Sequence, residues 1–275
     1  MIKPRILFVG NSHLGCVKLA LDGDPDLIAG FDFDFIILLK SGASDIEVAD
    51  GRLRLTTERA KELATKAVGV ITEAALANYQ AIVLVGLGLT MNWVGRLYRS
   101  HRLLEHRHPE KQLISPSAFQ AMVDETVGES AANKVAVEIR SVTDMPILLI
   151  AEPPLSVSVQ DIGEWDDVWT GNHVAFLAET LTKGIRGVFA PKSVDIAEPP
   201  PETITDPYFT KLEYSTKAPN ILKAREGRGG ATKHKKHKDD FRHMNDAYGA
   251  LLCRNIARWL NRRSAADMAH TQAAS

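Results

Sequence analysis

Little in this sequence places it outside ordinary globular proteins, and each thing it lacks removes a class of function. Only two cysteines occur in 275 residues, Cys16 and Cys253, and neither sits in a Cys-x-x-Cys or Cys/His spacing. That excludes a disulfide-dense scaffold and a zinc-finger type of site. Both fall on apolar helical patterns and are expected to be buried free thiols. No apolar run approaches the roughly 18 residues that a membrane-spanning helix needs. The start, Met1-Ile-Lys-Pro-Arg5, enters a short apolar stretch without the long apolar region and small-residue cleavage site of a signal peptide, so a cytoplasmic location is expected. A dominant charge is missing too. With 33 Lys and Arg against 34 Asp and Glu the net charge is -1, and neither nucleic acid nor an anionic membrane surface is expected as a partner.

What is present is a chain 45% hydrophobic and 24% charged, enough to bury a sizeable core. One domain is expected over residues 1–265, with a flexible tail at 266–275. Four short apolar runs, at 6–9, 35–39, 81–85 and 147–151, read as buried parallel strands, and a weaker one at 187–190 as the edge strand. Helical periodicity covers 13–21, 57–78, 117–142, 165–183 and 244–262. Strands alternating with helices, without internal repeats, predict a doubly wound three-layer α/β/α sandwich whose ligand site lies beyond the carboxyl ends of the strands. Residues 46–55 alternate apolar and polar around Asp50-Gly51, a hairpin pattern expected to decorate the surface. The least regular stretch, 191–239, holds Pro199-Pro200-Pro201 and a basic run over 225–238. A loop of that length reads as a lid over the site. Its charge fits local steering of an anionic substrate or simple solvation.

Chemistry concentrates at the two ends of the chain. The first strand delivers Gly10-Asn11-Ser12-His13-Leu14-Gly15 into the first helix, so the Ser12 hydroxyl stands at the crevice edge near a helix N-terminus that favours developing negative charge. Alone, Ser12 reads first as a helix cap. The glycine spacing fits neither the Gly-x-Ser-x-Gly elbow nor a nucleotide loop. Near the other end, Asp240-Phe241-Arg242-His243-Met244-Asn245 leads into the last helix. A hydroxyl needs a base to take its proton, and an imidazole serves best when a carboxylate fixes its tautomer.

Gly-x-Ser after the first strand, with Asp240-x-x-His243-x-Asn245-x-x-Tyr248-Gly249 before the last helix, resembles the SGNH (GDSL-type) hydrolase superfamily. The last block looks like the version in bacterial members linked to glycan or lipid modification. The resemblance spans most of the chain and implies a mostly parallel, five-stranded, flavodoxin-like sheet. It implies Ser12 as nucleophile, His243 as general base and then acid, and Asp240 as the residue orienting His243. It also implies an oxyanion hole built from the Ser12 N–H, the Gly42 N–H after the second strand, and an asparagine after the third. There the sequence departs from the family, because Gly88 stands where the asparagine belongs, and Asn11 replaces the usual aspartate. Asn92 or the Gly88 N–H is the substitute donor to look for.

Other candidates carry less. His13 reads as polar surface, Glu152-Pro153-Pro154 as a rigid turn, and His101, His106 and His108 as a solvated helix face. Trp165, Trp169, Tyr208, Phe209 and Tyr214 fit an acyl or sugar pocket, with core packing accounting for at least half of them. The expected activity is hydrolysis of a small-molecule acyl ester, glycan- or lipid-linked, with no metal or organic cofactor. An acyltransferase and a non-catalytic binding protein on the same fold are the alternatives, and the oligomeric state is left open.

Overall fold

The structure, a computed structural model, describes residues 3–38, 45–161, 168–216, 218 and 240–273. In chain order the first half contains β1 (Arg5–Gly10), α1 (Leu14–Gly23), β2 (Asp32–Ile37), β3 (Ile46–Ala49), β4 (Arg52–Leu55), α2 (Glu58–Thr65), β5 (Glu73–Ala75), β6 (Ala81–Val85), α3 (Met91–Ser100), β7 (His101–Arg102) and β8 (Gln112–Leu113). The second half contains α4 (Pro116–Gly128), α5 (Ala131–Arg140), β9 (Ile147–Ile150), α6 (Gly171–Phe189), β10 (Val194–Ala197), β11 (Ile204–Thr205), β12 (Phe209–Thr210), α7 (Leu212–Ser215) and α8 (Asp246–Ala273).

The central sheet runs β2-β1-β6-β9-β10, every neighbouring pair parallel, which is the flavodoxin-like order. Its inner strands are unbroken apolar runs because helices cover both faces. Ile6, Leu7, Phe8 and Val9 of β1 are fully buried, as are Ile82, Val83 and Leu84 of β6. Leu7, Val9, Ile82 and Leu84 pack with α2 to α6 on one face, and Ile6, Phe8, Val83 and Val85 with α1 and α8 on the other. This is the three-layer α/β/α sandwich. Chain order reverses between β1 and β6, so the crevice falls at the turn that carries Ser12. No described helix is long and apolar enough to cross a membrane.

Several elements differ from the sequence expectation. Residues 187–190 are not a strand. Residues 187–189 continue α6, where Leu181, Ile185 and Phe189 form a buried stripe at helical spacing, Ala190 starts a 3-10 turn, and the edge strand is β10, after a left-handed residue at Ser193 (φ 54°). The apolar Gly-Val-Phe-Ala run reads either way, and the register of the α6 stripe decides it. The helix expected over 57–78 stops at Thr65, and Gly69 (φ 70°) turns the chain so that β5 pairs with β4. The helix expected over 117–142 is two helices, because Ser130 caps α5 by accepting from the Asn133 N–H. α6 begins at Gly171 rather than 165, and α8 continues to Ala273, past the pattern that ends at 262.

The 46–55 hairpin forms around Asp50 (φ 52°) and Gly51 (φ 68°), both in the left-handed region that its two-residue turn demands. It is more than surface decoration. Ile46, Leu53 and Leu55 are buried in the same core as α5, and β5 adds a third strand. Nor is all of 191–239 irregular, since β10, β11, β12 and α7 occupy its first part. The basic run lies outside the described residues. Cys16 and Cys253 are buried and unpaired, and burial pushes both thiols up to about 12.

The first and last helices meet at backbone contact. A Cβ added to Gly249 would stand 2.0 Å from Cys16 O and 2.9 Å from Val17 N, so no larger residue fits without parting α1 from α8. Gly249→Ala should therefore destabilise the protein by about 1–3 kcal/mol in urea unfolding, the range for overpacking. Gly187→Ala is the control. Its Cβ meets nothing on the exposed face of α6, and it should stabilise by roughly 0.5–1 kcal/mol.

Candidate active site

β1 ends at Gly10, where a Cβ would lie 2.6 Å from Val85 O, so the chain leaves the sheet pressed against β6. Asn11 then makes the turn. Its Oδ1 accepts from the His13 N–H (3.1 Å), its carbonyl from the Leu14 N–H (3.1 Å), and its amide sits where a Gly86 side chain would be. Because the Asn11 side chain holds this turn, α1 starts with His13 as the residue before its first turn and with no side-chain cap. Ser12 is thus not a helix cap. Its Oγ lies 2.9 Å from His243 Nε2.

His243 is placed by the residues before it. Asp240 Oδ1 accepts from the backbone N–H groups of Arg242 (3.3 Å) and His243 (3.1 Å), which folds the Asp-x-x-His segment into a tight turn. Both carboxylate oxygens of Asp240 are 3.0 Å from His243 Nδ1. Burial alone would push the Asp240 carboxyl up, but hydrogen bonding and attraction from His243, with the two backbone N–H bonds, outweigh it and hold the group at about 2. An ionised carboxylate only accepts, so Nδ1 is the nitrogen that donates to Asp240, and Nε2 is the one that faces the Ser12 hydroxyl.

The rest of the last block supports this turn. Asn245 Oδ1 accepts from the Tyr248 N–H (3.2 Å) at the start of α8, and its amide donates to the carbonyls of Glu213 (2.8 Å) and Thr216 (3.1 Å). Tyr248 is buried against Tyr214, and Gly249 is the contact with α1. Each spaced residue of the motif therefore has a structural task beside the Asp240–His243 pair.

The oxyanion candidates are less complete. Gly42 lies outside the described residues. Gly86 (φ 74°), Leu87 (φ 53°) and Gly88 (φ 90°) form a left-handed run at the end of β6, directly across the switch point. Leu87 is kept there, against its preference, by burial and by the bond its carbonyl accepts from Ala132 N–H. Asn92 is buried near the start of α3, whose cap is Thr90. Among the described residues no hydrogen bond joins Asn92 to Ser12 or His243.

Two residues that sequence reasoning set aside belong to the site. His13 is buried, not polar surface, and its ring stacks on His243 with centroids 4.8 Å apart and planes 18° apart. Glu152 is more than part of a rigid turn. It is buried, its Oε1 accepts from Asn11 Nδ2 (2.9 Å), and its Oε2 lies 3.0 Å from His13 Nε2. That contact is close, although neither ring nitrogen of His13 meets the angular demands of a hydrogen bond. The available signal was position: Glu152 directly follows a strand on the crevice side.

Other expectations are corrected. The chain leaves α3 at Ser100, so the three histidines share no helix face. His106 Nδ1 is 2.6 Å from Tyr98 Oη and its ring packs on His173, His101 is half-buried, and His108 is exposed. Trp169 is buried against Gly95, and Phe209 is in the core. Of the pocket aromatics expected from sequence, Tyr208 lines a cavity of about 50 Å³ at the ends of β9 and β10, with Met91, Leu181 and Glu152. Trp165 lies outside the described residues.

No protein-family model and no curated protein matches this chain. Among solved structures it is similar to a phospholipase A1 from Streptomyces albidoflavus NA297, at 12% identity over 76% of this chain and 93% of that one, with a TM-score of 0.36. A second is a DUF4886 family protein from Bacteroides uniformis, at 9% identity over 92% and 93%, with a TM-score of 0.35. At such scores neither likeness carries an argument about this chain.

Glu152 sets an acid limit on stability. Burial pushes its carboxyl up, but attraction to His13, then bonds from Asn11 and Thr90, bring it down from 4.5 to about 2. A depressed carboxyl stabilises the fold fully above its unfolded value and loses that contribution as pH falls through its folded one. Urea unfolding between pH 4.5 and pH 2 should show a loss on the order of a few kcal/mol from this group. Glu152→Gln should be less stable at neutral pH, with a shallower acid dependence. A Glu152→Gln variant as acid-sensitive as the wild type would contradict this.

Proposed function

We propose that this chain is a serine esterase of the SGNH (GDSL-type) kind, cleaving a small acyl group from a carbohydrate- or lipid-borne carboxylic ester through an acyl-enzyme on Ser12. One observation carries the reading. Ser12 Oγ, His243 and Asp240 lie in series at 2.9 and 3.0 Å, although the serine and histidine are 231 residues apart in sequence. Hydrogen-bonding reach between a hydroxyl, an imidazole and a carboxylate is the geometric signature of an activated nucleophile.

In this reading Ser12 Oγ attacks the ester carbonyl carbon as its proton passes to His243 Nε2. The resulting imidazolium is stabilised by Asp240 at Nδ1. His243 returns the proton to the departing alcohol oxygen as the carbonyl–oxygen bond breaks. Water then repeats the sequence and releases the acid. The Ser12 N–H at the start of α1 is one oxyanion donor, and the Gly88 N–H, with Gly42 by resemblance, completes the set. A hole without the family's asparagine should turn over about a hundredfold to a thousandfold more slowly than a complete one.

A fluorophosphonate probe tests the reading without knowledge of the natural ester. Wild-type protein should be labelled on Ser12, Ser12→Ala should take up none, and His243→Gln should react roughly 100- to 10,000-fold more slowly. Both labelling and hydrolysis of short-chain nitrophenyl esters should fall toward acid pH, because a protonated imidazole cannot accept the serine proton. Absence of label on folded wild type, beside a reactive control hydrolase, would sink the proposal.

A further inference from the structure

The mechanism above leaves a buried imidazole and a buried carboxylate unused, and they touch each other beside the proposed base. His13 is 4% exposed and Glu152 8% exposed, with His13 Nε2 3.0 Å from Glu152 Oε2. Taking a carboxylate out of water costs several kcal/mol unless its surroundings compensate. Here they do so from several elements. Asn11 after β1 donates to Oε1 and Thr90 after β6 adds a side-chain bond, while the backbone N–H of Glu152 separately ties the end of β9 to Leu89 O (2.9 Å). Glu152 is thereby a fixed point where the loops after β1, β6 and β9 meet.

His13 transmits that fixed point to His243. Asp240 anchors His243 only at Nδ1, and a ring held at one atom can still turn about that hydrogen-bond axis. The side chains of His243 and Asp240 are 34% and 40% exposed, so the solvent side offers little restraint. One face of His243 is covered by the His13 ring, nearly parallel at 4.8 Å. A flat, braced ring there blocks the rotation that would carry Nε2 away from Ser12 Oγ. Misplacement of a reacting group by about 1 Å can cost about a hundredfold in rate.

We propose that Glu152 and His13 form a second carboxylate–imidazole pair, stacked behind Asp240 and His243, that positions the His243 ring on Ser12. Both are positioning residues, since neither is placed to touch the reacting atoms. The consequence for rate rests on the esterase reading, whereas the effect on His243 does not.

The experiment has two readouts on wild type, His13→Ala, His13→Phe and Glu152→Gln. The first is NMR relaxation of the carbon-bound ring hydrogens of His243, which reports ring order without any turnover. The second is the rate of fluorophosphonate labelling. His13→Ala should lower the order of the His243 ring and slow labelling roughly tenfold to a hundredfold. His13→Phe, which keeps a flat ring, should recover most of both, and Glu152→Gln should show the same defects to a smaller degree. If His13→Ala fails to melt cooperatively, Glu152→Gln decides. Unchanged ring order and labelling in folded His13→Ala and Glu152→Gln would overturn the inference while leaving the esterase reading intact. An ordered wild-type ring that loses order in the variants, in a protein that never labels, would support the positioning pair and overturn the esterase instead.

Discussion

The site depends on a backbone contact some distance from it. Ser12 opens α1 and His243 precedes α8, and those helices touch where Gly249 meets the carbonyl of Cys16. Both helices bury their apolar stripes on the same face of the sheet, through Leu14, Val17 and Leu21 on one and Tyr248, Leu252, Ile256 and Leu260 on the other. With their axes fixed so closely, the residues at their N-terminal ends have little freedom to separate. A 2.9 Å contact between groups 231 residues apart then follows from packing, with no need for a strong bond at the site itself.

The strand order makes the complementary contribution. β1 is paired with β2 on one side and β6 on the other, so the turns after β1 and β6 leave the sheet side by side. Gly10 allows the first to press against Val85, and Gly86 leaves room for the Asn11 amide. Asn11 is therefore suited to its place. Its oxygen closes its own turn while its amide donates to Glu152, a combination an aspartate could not supply, because a second carboxylate would face Glu152 without a proton to share. The asparagine at position 11 and the burial of Glu152 are one arrangement seen from two ends.

How much of this the sequence revealed follows from the range of the interactions. β1, β6 and β9 are legible because burial on both faces leaves no polar residue inside them, and the hairpin because Asp50-Gly51 is a local turn signal. The Asp240–His243 turn is local as well, three residues long and closed by its own backbone. Glu152 and His13 are different. Their meeting depends on the register of β9 against β6 and β1, which no window of sequence contains, and the prolines after Glu152 mask it as a turn. The 187–190 segment fails for a related reason, since four apolar residues do not reveal whether they extend a helical stripe or start a strand.

The loop after β6 shows where this chain departs from the pattern it resembles. A glycine at 88 permits φ of 90°, and the left-handed run from Gly86 to Gly88 re-aims the backbone after β6 in a way an asparagine at 88 would resist. The Gly88 carbonyl is engaged by Trp93 Nε1 at 3.0 Å, which pins one side of that peptide segment. The loop thus has no asparagine at 88 and a backbone whose course is held by Trp93, by Ala132 on Leu87, and by Glu152 on Leu89. Backbone N–H groups are fixed more firmly than an asparagine side chain with two rotatable bonds. Under the esterase reading, a backbone held at three points is what this loop has to offer a developing oxyanion once no asparagine stands at 88.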